Sequence, residues 1–257
     1  MMQRLDLTDA QLDSVLGRTS PLVKLAIALV WLIGLAFTTA LAPPLVLAAI
    51  ALVAGLTLGG IPPRTLLRSL APLWIAALSI GVVNTLFAAS NLDPDATTYL
   101  TIGPIRLTQA AVAGGLAIAA RVVAIASVGA VFTLTTDSTR LADSLVQQGH
   151  VSDRFAYGAL AAYQAIPRFG EDLTTLRQAR RIRGLRATWH PRLLLGLLVL
   201  AIRHGDRLAL AMDARAFGSG PRTTYRVVRW TPSDAAVALV AGAALAGALF
   251  LGQSTSV

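Results

Sequence analysis

Uninterrupted apolar runs of about twenty residues are the feature that most narrows what this chain can fold into. The first extends from about Leu22 to Leu41. At ~1.5 Å per helical residue it is long enough to cross a ~30 Å hydrocarbon layer. Pro43-Pro44 is expected to break that helix, because neither residue donates a backbone N–H. A second, shorter run from about Leu45 to Leu58 ends at Gly59-Gly60-Ile61-Pro62-Pro63, and reads as the return arm of a hairpin with the first. Arg64 and Arg68 follow, then a third run from about Leu70 to Ala89, and a polar stretch with Asn91, Asp93, Pro94 and Asp95. The fourth run covers about Leu107 to Leu134, and a last one about Ala235 to Leu251. Only 14% of the residues are charged and 55% are hydrophobic. A soluble domain carries roughly 25% charged residues, so the apolar runs read as bilayer spans. The expected fold is all-α, a polytopic membrane protein of about five transmembrane helices.

Between the fourth and last runs the character changes. From Thr135 to Thr231 there are fifteen arginines, at 140, 154, 168, 177, 180, 181, 183, 186, 192, 203, 207, 215, 222, 226 and 229. Glu171 to Arg186 predicts a helix with a broad basic face. Pro191 opens a further apolar segment, Leu193 to Ile202, which Arg203 to Phe217 continues. These read as long amphipathic helices on or beneath the membrane. The organisation expected is an N-terminal region of four spans (1–134), an interfacial region (135–231) and a C-terminal span (232–257). Five spans with the N-terminus inside place Arg4, Arg18, Lys24, Arg64, Arg68 and the fifteen arginines on the cytoplasmic side, leaving Arg106 outside. The positive-inside bias selects that orientation, and the short segments alone favour it. Met1 to Ser20 is polar, with Asp6, Asp9 and Asp13 ahead of the first run, and does not read as a cleavable signal peptide.

Most catalytic signatures are missing. There is no cysteine and no GxxxxGK[ST] phosphate loop, and His150, His190 and His204 are scattered without metal-ligand spacing. No cofactor or metal site is expected. The net charge of +9 fits cytoplasmic loops of a membrane protein better than nucleic-acid binding. Asp206 and Asp213 lie seven residues apart among Arg203, Arg207 and Arg215, where intrahelical ion pairing is the expected arrangement. Gly114-Gly115 suits close helix packing. Arg121 falls inside the fourth run. It reads either as part of a substrate or ion pathway or as a structural hydrogen-bond donor to a neighbouring helix. The second is favoured because no intramembrane carboxylate accompanies it.

Two short segments 32 residues apart stand out. One is Gln178-Ala179-Arg180-Arg181-Ile182-Arg183-Gly184 and the other Ala211-Met212-Asp213-Ala214-Arg215-Ala216-Phe217-Gly218. Glycine near a helix end permits a left-handed cap, so Arg183 and Arg215 are each expected at a helix C-terminus. There a guanidinium can make charge-assisted, bidentate bonds to a partner. The plainer alternative is that they set topology or meet anionic lipid headgroups.

At these segments the chain resembles the transmembrane T component of energy-coupling factor transporters, the micronutrient importers of the ABC superfamily. Members carry two Ala-Arg-Xaa motifs, often Ala-Arg-Gly. Ala214-Arg215-Ala216 fits that pattern, and Ile182-Arg183-Gly184 departs from it at its first residue. Ser20-Pro21-Leu22-Val23-Lys24-Leu25, Thr135-Thr136 with Leu141-Ala142-Asp143-Ser144-Leu145, and Ile166-Pro167-Arg168-Phe169 extend the resemblance over residues 18 to 218. It implies a non-catalytic scaffold in the plasma membrane of a prokaryote. Two ABC-type ATPase subunits would accept Ile182, Arg183, Gly184, Ala214, Arg215 and Ala216. A small membrane S component would capture a vitamin or transition-metal ion, with Leu193 to Ile202 as its contact. Two other readings remain: a membrane-bound enzyme acting on a phospho-lipid or prenyl substrate, or a standalone membrane anchor for a cytoplasmic protein.

Overall fold

The computed structural model describes residues 11, 13–92, 96–102, 105–185, 190–220, 223–224 and 226–254. Arg4, Asp6, Asp9, Asp93, Pro94, Asp95, Arg186 and Arg222 lie outside the described residues. Almost every regular element is a helix, and the described residues divide into two compact units. One is Ser138–Val228. The other holds the described residues up to Asp137 together with those from Arg229 onward.

The second unit contains α1 (Pro21–Ala36), α2 (Ala42–Thr57), α3 (Pro63–Leu86), α4 (Gln109–Thr135) and α8 (Pro232–Ser254). Segments 63–92, 109–135 and 232–252 are long and apolar enough to cross a membrane, while α1 and α2 are shorter apolar helices. The first two boundaries differ from the sequence expectation. Pro43 and Pro44 do not terminate a span but are buried in the first turn of α2. A first-turn N–H has no intrahelical acceptor, so proline costs nothing there, and α1 instead ends at Ala36. Arg64 and Arg68 lie on the opening turns of α3.

Side-chain contacts give the helix directions. Lys24 meets Thr135 and Thr38 meets Arg121, so α1 and α4 run antiparallel. A Cβ at Gly55 or Gly59 would touch Val131 or Thr135, so α2 runs parallel to α4. Gly81 faces Ala119 while Gly115 faces Gly81 and Thr85, so α3 and α4 are antiparallel. At that crossing a Cβ on Gly115 would sit 2.7 Å from the Gly81 carbonyl oxygen, so close packing depends on Gly115 and not on Gly114, which faces open space. Trp31 donates its indole N–H to the Ala241 carbonyl at 3.0 Å, and Gly34 packs on Leu245, placing α8 parallel to α1. The five directions therefore alternate, and the end of α4 and the start of α8 lie at the same end of the unit as the start of α1.

Trp31, Leu35, Leu47, Ala48, Ala51, Ala124 and Ala248 form one core where α1, α2, α4 and α8 meet. Leu16, Ile61, Leu66, Leu70, Val131 and Leu134 form a second. Outward, large apolar side chains stay uncovered, such as Ile75 at 71% and Leu239 at 75% exposure. Such faces are expected of helices solvated by lipid tails. An antiparallel strand pair, β1 (Thr98–Ile102) with β2 (Ile105–Thr108), joins α3 to α4 in a stretch the sequence reading left as polar. Its threonines and Tyr99 suit a pleated strand. Asn91 secures it, accepting the Thr108 N–H at 3.0 Å and donating to the Thr85 carbonyl at 2.7 Å.

Arg121 belongs to this unit. Its guanidinium donates to the carbonyl of Thr38, in the turn between α1 and α2. Each 16-residue arm of that hairpin is about 24 Å long, against about 40 Å for α4. The short hairpin therefore turns beside Arg121, and the arginine supplies a donor to a carbonyl just beyond the end of α1.

Candidate coupling site

The Ser138–Val228 unit is built from α5 (Ser138–Gln147), α6 (Asp153–Ile182) and α7 (Pro191–Ala214). The helix expected from Glu171 begins much earlier. Pro167 lies inside α6 and does not start a new element. Asp153 in the first turn and Arg180 and Arg181 in the last complement the helix dipole. Pro191 opens α7, where His190 accepts the Arg192 N–H at 3.1 Å. The apolar stretch and the basic stretch after it are one continuous helix.

α6 and α7 pair antiparallel. Leu176 packs at Gly196, Phe169 meets the His204 ring edge-on at 6.4 Å, and Tyr157 meets Phe217 edge-on at 6.3 Å. The α6 terminus therefore lies beside the start of α7, and the α7 terminus beside the start of α6. Arg183 and Arg215 are the C-caps of these two helices. Both side chains are exposed, as are Ile182, Gly184, Ala214 and Ala216. From the His190 level to Arg215 the hairpin is about 37 Å long, so it carries one arginine motif at each end.

The two helix ends share one backbone design. At the first, Gly184 N–H bonds the Arg181 carbonyl at 3.0 Å and Leu185 N–H the Arg180 carbonyl at 3.2 Å, with Gly184 at φ 75°. At the second, Ala216 N–H bonds the Asp213 carbonyl at 2.9 Å and Phe217 N–H the Met212 carbonyl at 3.0 Å, with Ala216 at φ 55°. Both patterns are Schellman caps, which turn the chain sharply away from the helix axis directly after the arginine. Alanine in the left-handed region costs about 1 kcal/mol that glycine does not.

Neighbouring residues brace the second end. The Tyr157 hydroxyl donates to Asp143 Oδ1 at 2.7 Å, tying α6 to α5, while its ring supports Phe217. A Cβ on Gly218 (φ 76°) would lie 2.9 Å from Arg154 Cγ, and Arg154 Nη2 donates to the Gly218 carbonyl at 3.4 Å. Burial, then the bond to the Asp143 carboxylate and the charges of Asp143 and Asp153, pushes the Tyr157 phenol up to about 12. It therefore remains a donor throughout the neutral range. Sequence reading did not single out Asp143, Arg154 or Tyr157 for this role. No local pattern marks a tyrosine whose partners come from two other segments.

The remaining polar candidates have other roles. Asp206 and Asp213 have no arginine within ion-pairing distance among the described residues, contrary to the sequence expectation. Arg207 Nε instead donates to the Arg203 carbonyl at 3.1 Å. Basic residues placed N-terminal to acidic ones make the weaker helix pair, and Asp213 and Arg215, two apart, do not share a face. No group of three or more metal-ligating side chains occurs among the described residues.

An all-α, multi-pass membrane subunit with a helical hairpin ending in two arginine caps is the class defined by this arrangement. The sequence profile of the CbiQ family, described as cobalt transport protein, matches residues 13–225. The chain belongs to this family and is a transmembrane component of an energy-coupling factor transporter. It is 27% identical to the energy-coupling factor transporter transmembrane protein EcfT of Heliobacterium modesticaldum, over 88% of this chain and 89% of that one. It is 28% identical to the protein of the same name from Limosilactobacillus fermentum, over 89% and 90%. A Bifidobacterium longum protein, assigned by name to the ATP-binding proteins of ABC transporters, is 26% identical over 63% of this chain and 22% of its own length.

Proposed function

We propose that this chain is the energy-coupling scaffold of a micronutrient importer. Two partner ATPase subunits accept Arg183 and Arg215, one each, and ATP hydrolysis resides on those partners rather than here. The observation that carries the reading is the pair of Schellman-capped arginines at opposite ends of one antiparallel hairpin. Two like sites about 37 Å apart suit a partner that is itself a pair of similar subunits. The likeness to part of a protein named as an ATP-binding protein supports the same kind of partner.

The five apolar helices hold the chain in the plasma membrane of a prokaryote, with the N-terminus and residues 135–231 on the cytoplasmic side. The arginine bias carries this orientation. A small membrane S component captures the vitamin or transition-metal ion. It packs against the uncovered apolar face of α7, where Leu195, Leu198 and Ile202 are 63%, 55% and 55% exposed. Exchanging Arg183 and Arg215 together for glutamate is expected to reduce ATPase co-purification at least tenfold. Lysine at the same positions gives an intermediate loss, because it cannot bind bidentately. Co-purification unchanged in the double glutamate variant refutes the reading.

A further inference from the structure

α7 packs on α6 through the side that holds Gly196 and His204, where Leu176 and Phe169 meet them. The opposite side carries Leu195, Leu198, Ile202, Asp206, Ala209 and Asp213. Their spacing of three and four residues places them in one stripe about 27 Å long. All six are exposed. The stripe is therefore apolar from Leu195 to Ile202 and acidic from Asp206 to Asp213. Neither aspartate has a cation within ion-pairing distance among the described residues, although Arg203 and Arg207 stand on the same helix. Two open carboxylates are conspicuous in a segment that carries fifteen arginines.

Exposed apolar side chains alone name no occupant, but the two carboxylates select one. A bilayer surface fits poorly. Helices that rest on lipid carry Lys and Arg on their polar face, and anionic headgroups repel aspartate. A second copy of this chain fits no better, because the stripe applied to itself sets aspartate against aspartate or against leucine. A membrane protein of ordinary topology fits both halves: its spans are apolar, and their cytoplasmic ends carry an excess of Lys and Arg. We infer that the α7 stripe receives such a protein, with the end of a span on Leu195, Leu198 and Ile202 and its cytoplasmic Lys or Arg residues paired with Asp206 and Asp213. The inference rests on α7 being the S-component contact, and adds the charge that selects and orients that partner. The apolar half supplies the hold. The aspartates set direction, since a reversed partner would bring its cations onto leucines.

The test uses the full chain, assembled with its ATPases in native membranes and carrying Ala209→p-benzoylphenylalanine between the two aspartates. Illumination is expected to link this position to a small membrane protein, beside a Lys or Arg at the cytoplasmic end of a span. Asp206→Asn with Asp213→Asn lowers the yield about threefold. Lysine at both positions lowers it about tenfold, because attraction becomes repulsion. Glutamate at both keeps the parent's yield, and ATPase co-purification is the same in all three variants. Added salt brings the parent's yield down towards that of the asparagine variant. Yields unchanged with asparagine and with lysine overturn the inference and leave the S-component reading standing. Links to lipid, to a second copy or to an ATPase overturn it as well. A parent that keeps its ATPases but links to no membrane protein brings down the S-component contact on α7 together with the inference.

Discussion

The two arginine ends of the α6–α7 hairpin carry the same cap but stand differently in the fold. At Arg183 a glycine occupies the left-handed position, and a Cβ added to Gly184 meets nothing within 4 Å. At Arg215 an alanine occupies it, and the next residues are held by Tyr157 and Arg154. Among the described residues, the first end is shaped by its own backbone. The second also draws on tertiary contacts, which offset the strain of Ala216.

The largest effect that would break this contrast is expected from Gly218→Val. It forces a branched side chain into positive φ and against Arg154, costing about 3 kcal/mol locally. Hydrogen exchange in the last turn of α7 should accelerate more than tenfold, with the last turn of α6 unaffected. Tyr157→Phe keeps the ring against Phe217 but leaves the buried Asp143 short of a donor, worth about 1–3 kcal/mol. Faster exchange at residues 214–218 is expected, and equal exchange would show that the brace carries no load. Exchanging the cap residues sharpens the comparison further. Ala216→Gly should stabilise the second end by about 1 kcal/mol and Gly184→Ala destabilise the first by as much, measured in the same way.

The smallest effect concerns pH. The Tyr157 phenol is raised from 10.0 to about 12, so its contribution is complete below pH 10 and lost as pH rises towards 12. In the parent, the second end should loosen over that window while the first does not. Tyr157→Phe should remove the difference, and absorbance near 295 nm should show one tyrosine fewer titrating at the top of the range.

Much of the helical order was readable because lipid-facing helices announce themselves by length and apolarity. Arg183-Gly184 and Arg215-Ala216-Phe217-Gly218 pointed to helix ends because backbone at positive φ favours glycine. Boundaries were less legible. Pro43-Pro44 reads equally as an end or a beginning, since the missing N–H is tolerated in a first turn and nowhere deeper. The strand pair after α3 was hidden in a short polar segment, where Asn91 rather than any hydrophobic period sets the structure.

The sequence by itself determined that this chain lives in a membrane, that its basic residues gather in one segment, and where two arginines end their helices. Those properties are local, set by side-chain hydropathy and by φ preference within a few residues. The tertiary structure alone decided that α6 and α7 run antiparallel, which separates the two arginines. It also decided that Tyr157 braces one of them, that Lys24 reaches 111 residues along the chain to the Thr135 carbonyl, and that Asp234 accepts the Ser20 N–H from 214 residues away. Such pairings depend on which surfaces meet when the helices pack, and no periodicity along the chain encodes them.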